Sequence, residues 1–360
     1  MATLLDRVIF NSEAMQQVQK DLEPFIDSAA PLLFCGETKS GMGFYAQALH
    51  EISQRTGKFL VISAFALDEK TVKQQFLGGK DQPGWLEEAH GGTIFIRRVS
   101  ETSLAVQQVL WQLIGNQSVD GRIPFSRRGD TQSLEVNVRF MYSMTHDFNL
   151  AVQDGLLHRD FVDEIKKRGK IVHIPPLRER KEDIIRIVAN LIERGNQEYQ
   201  QHVTAMNEEA QTILTDYPWP GNIDELKRVI DTIVARNPGL QVITAAQLPE
   251  YIKNQEAAEG KCSFRLKDDV RFWGHILSPT LHIQTESKKL TLNPGDLAEI
   301  VRVEDTRFAP PRFKHFIFKF KFKGGSQIIG NILDKTLQVE TSFDDSYTIN
   351  PQDLYSVLLS

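Results

Sequence analysis

Gly36-Glu37-Thr38-Lys39-Ser40-Gly41-Met42-Gly43 follows the apolar run Leu32-Leu33-Phe34-Cys35 and precedes Tyr45, Ala48, Leu49 and Ile52 at helical spacing. A strand, a glycine-bearing turn and a helix start, in that order, outline a phosphate-binding loop. Backbone N–H groups at such a helix start can face an anion. The full pattern is G-x-x-x-x-G-K-[ST], and only its glycines are kept here. Met42 stands where a lysine would reach the outer phosphates, and Gly43 where a hydroxyl would ligate Mg²⁺. Three readings stay open at this point. The loop is an inherited turn with no ligand, an emptied site that still takes an anion, or a site for something unrelated. In the second reading Arg97 and Arg98 supply the positive charge of the missing metal, since guanidinium suits bidentate phosphate contacts.

The elements that must position these residues alternate from Ser12 to about Ile174 between helix-like and strand-like stretches, which predicts a parallel α/β sheet. Phe59-Leu60-Val61-Ile62, Thr93-Ile94-Phe95-Ile96 and Val138-Arg139-Phe140-Met141 are further strand candidates. From Arg180 to about Asn254 the pattern turns helical, with Ile184, Ile185, Ile187, Val188, Leu191 and Ile192 forming one broad apolar face. Tyr217-Pro218-Trp219-Pro220-Gly221-Asn222 interrupts it as a structural corner. A linker is expected near residues 256–261. Beyond it, short alternating strands and the turn signals Asn293-Pro294-Gly295 and Gly324-Gly325 predict a small all-β unit, barrel or sandwich. The expected division is residues 1–178, 179–255 and 262–360.

Further blocks follow the loop in a specific order: Gly91-Gly92-Thr93-Ile94-Phe95-Ile96, then Ile174-Pro175-Pro176-Leu177-Arg178-Glu179-Arg180, then the Tyr217–Asn222 corner. With the opening Ser12-Glu13-Ala14-Met15, the chain resembles the central AAA+ domain of sigma-54-dependent bacterial enhancer-binding proteins over residues 8–252. The resemblance implies an AAA+ core with a helical lid, in a family whose ring assemblies use ATP to remodel RNA polymerase holoenzyme. It also exposes departures. Where the family has an acidic pair for Mg²⁺, this chain has Arg97-Arg98. Phe76-Leu77-Gly78-Gly79 runs to Trp85 without the family's sigma-contacting insertion. Thr145 replaces the sensor asparagine, Glu164 the second finger arginine beyond Arg159, and Asp224 the second sensor arginine. No C-terminal helix-turn-helix is expected. Two carboxylates exchanged for two guanidinium groups reverse the local charge. At ~5 Å and an effective dielectric of ~20, each arginine would repel Mg²⁺ by roughly 6 to 7 kcal/mol, which solvent lowers without changing its sign.

The 360-residue chain has 41% hydrophobic and 25% charged residues and a formal net charge of −5, which gives no general electrostatic case for nucleic-acid or membrane binding. Its longest apolar runs are too short to span a bilayer as a helix. Cys35 and Cys262 have no metal or redox spacing, and with no secretory signal they read as reduced thiols in a cytoplasm. The histidines at 90, 146, 158 and 173 lack metal-ligand grouping. In Phe316-Ile317-Phe318-Lys319-Phe320-Lys321-Phe322-Lys323, alternation puts the phenylalanines on one face and Lys319, Lys321 and Lys323 on the other. These lysines are either a solvated guard against edge pairing or a basic strip for nucleic acid or an acidic protein surface. The resulting expectation is a catalytically inactive AAA+-like interaction or regulatory protein, with no cofactor or metal. It has a protein partner and is a candidate homo-oligomer. The alternative is a transcription regulator that touches DNA or polymerase through the β-rich unit.

Overall fold

In the computed structural model, residues 11–145 and 148–253 are described, together with the backbone of ten strands between 261 and 359. The chain divides into two units, residues 1–187 and 188–360.

The first unit is built on β1 (Leu32–Gly36), β2 (Phe59–Ser63), β3 (Gly92–Arg97), β4 (Arg122–Ser126), β5 (Ser133–Met144) and β6 (Lys170–Ile174). Five strands run parallel in the order β2-β3-β5-β1-β6, and β4 pairs antiparallel with the first half of β5. The apolar runs read as strands because both faces of the sheet are covered. Leu33, Cys35, Ile94, Ile96, Phe140 and Tyr142 belong to one core, and the interleaved Leu32, Phe34, Phe95 and Met141 to another. The second core is completed by α1 (Glu13–Leu22) and α2 (Met42–Ile52), through Met15, Val18, Leu22, Tyr45 and Leu49. The first is completed by α3 (Val72–Leu77), α4 (Trp85–Glu88), α5 (Leu104–Gly115), α6 (Phe148–Gln153) and α7 (Arg159–Arg168). Each fully buried Leu, Ile or Phe in these layers contributes about 1.5–3 kcal/mol of transfer free energy.

Strand β5 is three times the length of the run Val138–Met141 from which it was expected, and β4 was not expected at all. Their hairpin pairs Ile123 with Val136 and Phe125 with Leu134. Tyr142 shows the limit of apolar packing. Its ring is edge-on to Phe161 at 5.0 Å and stacked on Phe140 at 6.2 Å, but its hydroxyl is buried without a hydrogen-bond partner. Burial pushes the phenol well above its ordinary pKa. Tyr142→Phe is therefore expected to leave stability unchanged or raise it by about 1 kcal/mol, read as a higher midpoint in urea.

Helix α8 (Lys181–Tyr199) starts in the first unit. The second continues with β7 (Ala205–Met206), α9 (Glu208–Asp216), α10 (Asn222–Arg236), β8 (Val242–Ile243) and α11 (Glu250–Lys253), and β7 and β8 pair in parallel. The Tyr217–Asn222 corner is the expected structural element. Trp219 is fully buried at φ 47° and its indole N–H donates to the Leu214 carbonyl at 2.7 Å. Tyr217 Oη donates to one Glu225 carboxylate oxygen, and the other accepts from Gly221 N–H at 2.8 Å.

Beyond residue 260 the described residues are ten strands, from β9 (Lys261–Leu266) to β18 (Leu354–Leu359), all antiparallel to their neighbours. The described pairings place the ten strands on one path. Within β14 (Ile317–Phe322), Lys319 pairs with Val301 and Ile329, and Lys321 with Glu299 and Gln327. Lys323, both turn signals and residues 256–260 of the linker lie outside the described residues.

Candidate functional site: a rebuilt phosphate loop

The loop leaves β1 at Gly36 and enters α2 at Met42, with Lys39 at φ 65° and Gly41 at φ 109°. Gly36 is required by close approach, because a Cβ there would sit 2.6 Å from the Ile174 carbonyl oxygen. Gly43 is not required in this way. A Cβ there meets only a Phe95 ring carbon at 3.5 Å, an ordinary contact. The missing hydroxyl is thus a chemical loss that space does not impose. Met42 is buried in the α1–α2 core, with Tyr45 and Ala46.

The link after β6 fastens this loop. Arg178 forks onto Glu37, with Nη1 donating to Oε2 at 2.8 Å and Nη2 to Oε1. This pairing raises the Arg178 pKa above its ordinary value. Arg180, 1% exposed, donates from Nη1 to Tyr45 Oη at 2.8 Å and from Nη2 to the Ser40 carbonyl. Burial pushes the Tyr45 phenol up, and Arg180 opposes that shift. These charges pair within the first unit, because the link runs beside the loop's own carboxylate and carbonyl.

At the end of β3 the two arginines part company. Strand alternation puts Arg97 on the face of Thr93 and Phe95, the face Gly43 touches, and its side chain is exposed. Arg98 takes a left-handed conformation at φ 63°. Its N–H donates to Ser143 Oγ at 3.3 Å, its Nε donates to Glu101, and its guanidinium lies 5.5 Å from the Phe65 ring centroid. Arg98 is thus engaged by Glu101 and Phe65, while Arg97 is exposed.

Two of the other substituted positions, Glu164 and Asp224, have partners within the protein. Glu164 accepts from Arg168 Nε at 2.7 Å, and Arg168 also donates to the Gly115 and Gln117 carbonyls. Arg159 is exposed at the start of α7, where His158 Nδ1 accepts from Asp160 N–H at 3.2 Å. Thr145 is half-buried just past β5. Asp224 pairs with Arg228 at 3.4 Å within α10. His90 Nδ1 accepts from Asn137 N–H, His173 is exposed in β6, and His146 lies outside the described residues. Among the described residues no His, Cys, Asp or Glu group is placed to hold a metal, and no helix is long and apolar enough to cross a membrane.

Two clusters carry no sequence motif. Near the opposite end of the sheet, fully buried Arg139 donates to the Phe25, Ile26 and Ala30 carbonyls at 2.7, 3.2 and 3.3 Å. Burial presses its pKa down to about 9, with Arg55 adding repulsion and Asp27 opposing it. A charge inside the apolar run Val138–Met141 was its only signal. The second cluster joins Glu87 to Arg127, 40 residues apart, and sequence spacing gives no sign of it.

A parallel sheet ordered β2-β3-β5-β1-β6, with a glycine loop between its interior strand β1 and the next helix and a helical segment after β6, defines an AAA+ P-loop architecture. Residues 8–168 match the sigma-54 interaction domain and residues 178–263 the AAA+ ATPase lid domain. Over these residues the chain carries a sigma-54 interaction domain and an AAA+ lid domain. It is 30% identical over 253 residues to the transcriptional activator RocR of Bacillus subtilis, covering 68% of this chain and 53% of RocR. It is 28% identical over 266 residues to the regulatory protein AtoC of Escherichia coli, covering 71% of this chain and 55% of AtoC. The chain thus spans about half the length of these relatives. Crystal structures of NtrX from Brucella abortus share the fold. The ADP complex gives a TM-score of 0.59 at 24% identity, covering 69% of this chain and 56% of NtrX. The ATP complex gives 0.56 at 22%, covering 69% and 59%.

Proposed function

We propose that this chain is a regulatory member of its family that does not hydrolyse ATP and acts in the cytoplasm through protein contacts. The observation that carries this reading is the end of β3. Guanidinium groups at 97 and 98 stand where metal-dependent phosphoryl transfer needs carboxylates. The buried Met42 and the bare Gly43 add to it, since neither can contact a phosphate or ligate a metal through its side chain in the required way. These residues do not fit a magnesium-bound nucleotide. A regulatory role is supported by relatives that are transcriptional activators and regulators. Self-association is part of the proposal, because AAA+ interfaces rest largely on shape and apolar packing, which survive loss of chemistry.

The test is calorimetric titration of the purified chain with ATP, with and without Mg²⁺, alongside a phosphate-release assay. The expected result is phosphate release indistinguishable from buffer, with no magnesium-dependent binding. Turnover abolished by Gly36→Val would overturn the reading. The second reading, contact with DNA or polymerase through the strands beyond 261, rests on Lys319 and Lys321 at alternate positions of β14. Binding of duplex DNA by the same sample, weakening steeply with salt, would favour it, and no binding at low salt would remove its DNA arm.

A further inference from the structure

Between α3 and α4 the chain makes a tight turn, residues 78–84, against the tip of the β4–β5 hairpin. Gly79 and Gln82 exchange backbone hydrogen bonds at 2.9 and 3.2 Å, and Arg128 N–H donates to the Gly78 carbonyl at 3.2 Å. Gly79 also forms a parallel bridge with Arg128. Arg127 closes the junction with its whole guanidinium. Nε donates to Glu87 Oε1 at 2.9 Å, Nη2 to Oε2 at 2.5 Å, and Nη1 reaches the Lys80 carbonyl at 3.4 Å. Both side chains are about three-quarters buried or more, at 27% and 19% exposed, so the pair is shielded better than a surface ion pair. The turn has little freedom of its own. A Cβ on Gly84 would lie 2.3 Å from both Gly78 N and the Phe76 carbonyl oxygen. Phe76 and Trp85, edge-to-face at 5.2 Å, anchor the two ends of the turn in the core.

We propose that Glu87 and Arg127 form a clasp that fuses the turn 78–84 and the hairpin tip 127–130 into one rigid tip. Four properties carry this: two-point geometry, partial burial, a third donor on the turn's own backbone, and a steric floor at Gly84. A fork of two parallel N–H···O bonds fixes orientation as well as distance, which one flexible lysine contact would not. Arg127 is a positioning residue here, and Glu87 orients both it and the start of α4. The tip is held by contacts within itself, so it stays set whatever occupies the loop at residues 36–43. This stands independently of whether the chain hydrolyses nucleotide.

Amide hydrogen exchange on the full chain tests the clasp, comparing wild type with Arg127→Met, Glu87→Met and the double variant. Exchange in peptides covering 78–84 and 127–130 is expected to rise ~10-fold in each single variant and no further in the double. Peptides of β1 and α2 are expected to keep wild-type protection. Wild-type exchange at the tip in both singles would overturn the clasp. So would additive effects in the double, or a rise spread evenly over the first unit.

Discussion

Replacing Arg139 by methionine is expected to destabilise the first unit by about 3 kcal/mol, a large effect for a single side chain outside the apolar core. The physical reason is the acceptor set. Arg139 donates to three carbonyls that end the short helical turn Glu23–Phe25 and the segment leading to β1. Removing the guanidinium leaves Phe25, Ile26 and Ala30 oxygens short of a donor, at ~1–3 kcal/mol for each one that water cannot reach. The relief of no longer burying a charge returns part of that cost, so the sum of three full penalties is an upper bound. Arg139→Lys is expected to recover only part, because an ammonium on one point cannot span three oxygens. Urea unfolding followed by tryptophan fluorescence reads the change in midpoint. Arg122→Met, on a side chain 59% exposed with surface partners Asp120 and Glu135, is the control. It is expected to shift stability by under about 0.5 kcal/mol. Equal effects at 139 and 122 would show that the carbonyl cage contributes nothing.

Asp183→Ala is expected to cost about 3 kcal/mol and to release the start of α1. The Asp183 carboxylate is fully buried. It accepts from Asn11 N–H and Ser12 N–H on Oδ1 and from Ser12 Oγ on Oδ2, all at 2.9 Å. Ser12 in turn caps α1 by accepting from Met15 N–H at 3.3 Å. One acidic side chain from α8 therefore holds the residue that starts α1, and α1 supplies Met15, Val18 and Leu22 to the second core. Losing the carboxylate strands three donors and loosens a cap worth ~1 kcal/mol by itself. The readout is a lowered thermal midpoint with faster amide exchange over residues 11–22. Asp183→Asn keeps one acceptor for the two backbone donors and is expected to cost about half as much. An unchanged midpoint for Asp183→Ala would rule out this role.

What the sequence made legible was what periodicity and continuous apolar runs can carry. Leu32–Cys35, Phe59–Ile62 and Thr93–Ile96 became strands because both faces of the sheet demand apolar side chains. The helix over Tyr45–Ile52 followed from its spacing. The β4 strand escaped because Arg-Ile-Pro-Phe-Ser offers one buried residue, Ile123, around a proline that an edge position tolerates. The loop's glycines pointed to the right place in the fold, but the sequence could not distribute the arginines. Arg98 turns away because Glu101 follows three residues later and Phe65 lies beneath it, and only the second fact is tertiary. The Glu87–Arg127 fork and the three-carbonyl seat of Arg139 have no local signature, since their partners come from distant parts of the chain.

The Arg98–Glu101 pair also bears on which side chains position 98 can accept. While residue 98 is a cation, Glu101 is its partner and the left-handed turn is held in place. An acidic residue placed at 98 would meet that same Glu101 as a like charge at hydrogen-bond range. A carboxylate at 98 is therefore tolerated only if residue 101 changes with it. The two positions form one unit of sequence choice, in which neither can be exchanged alone without cost.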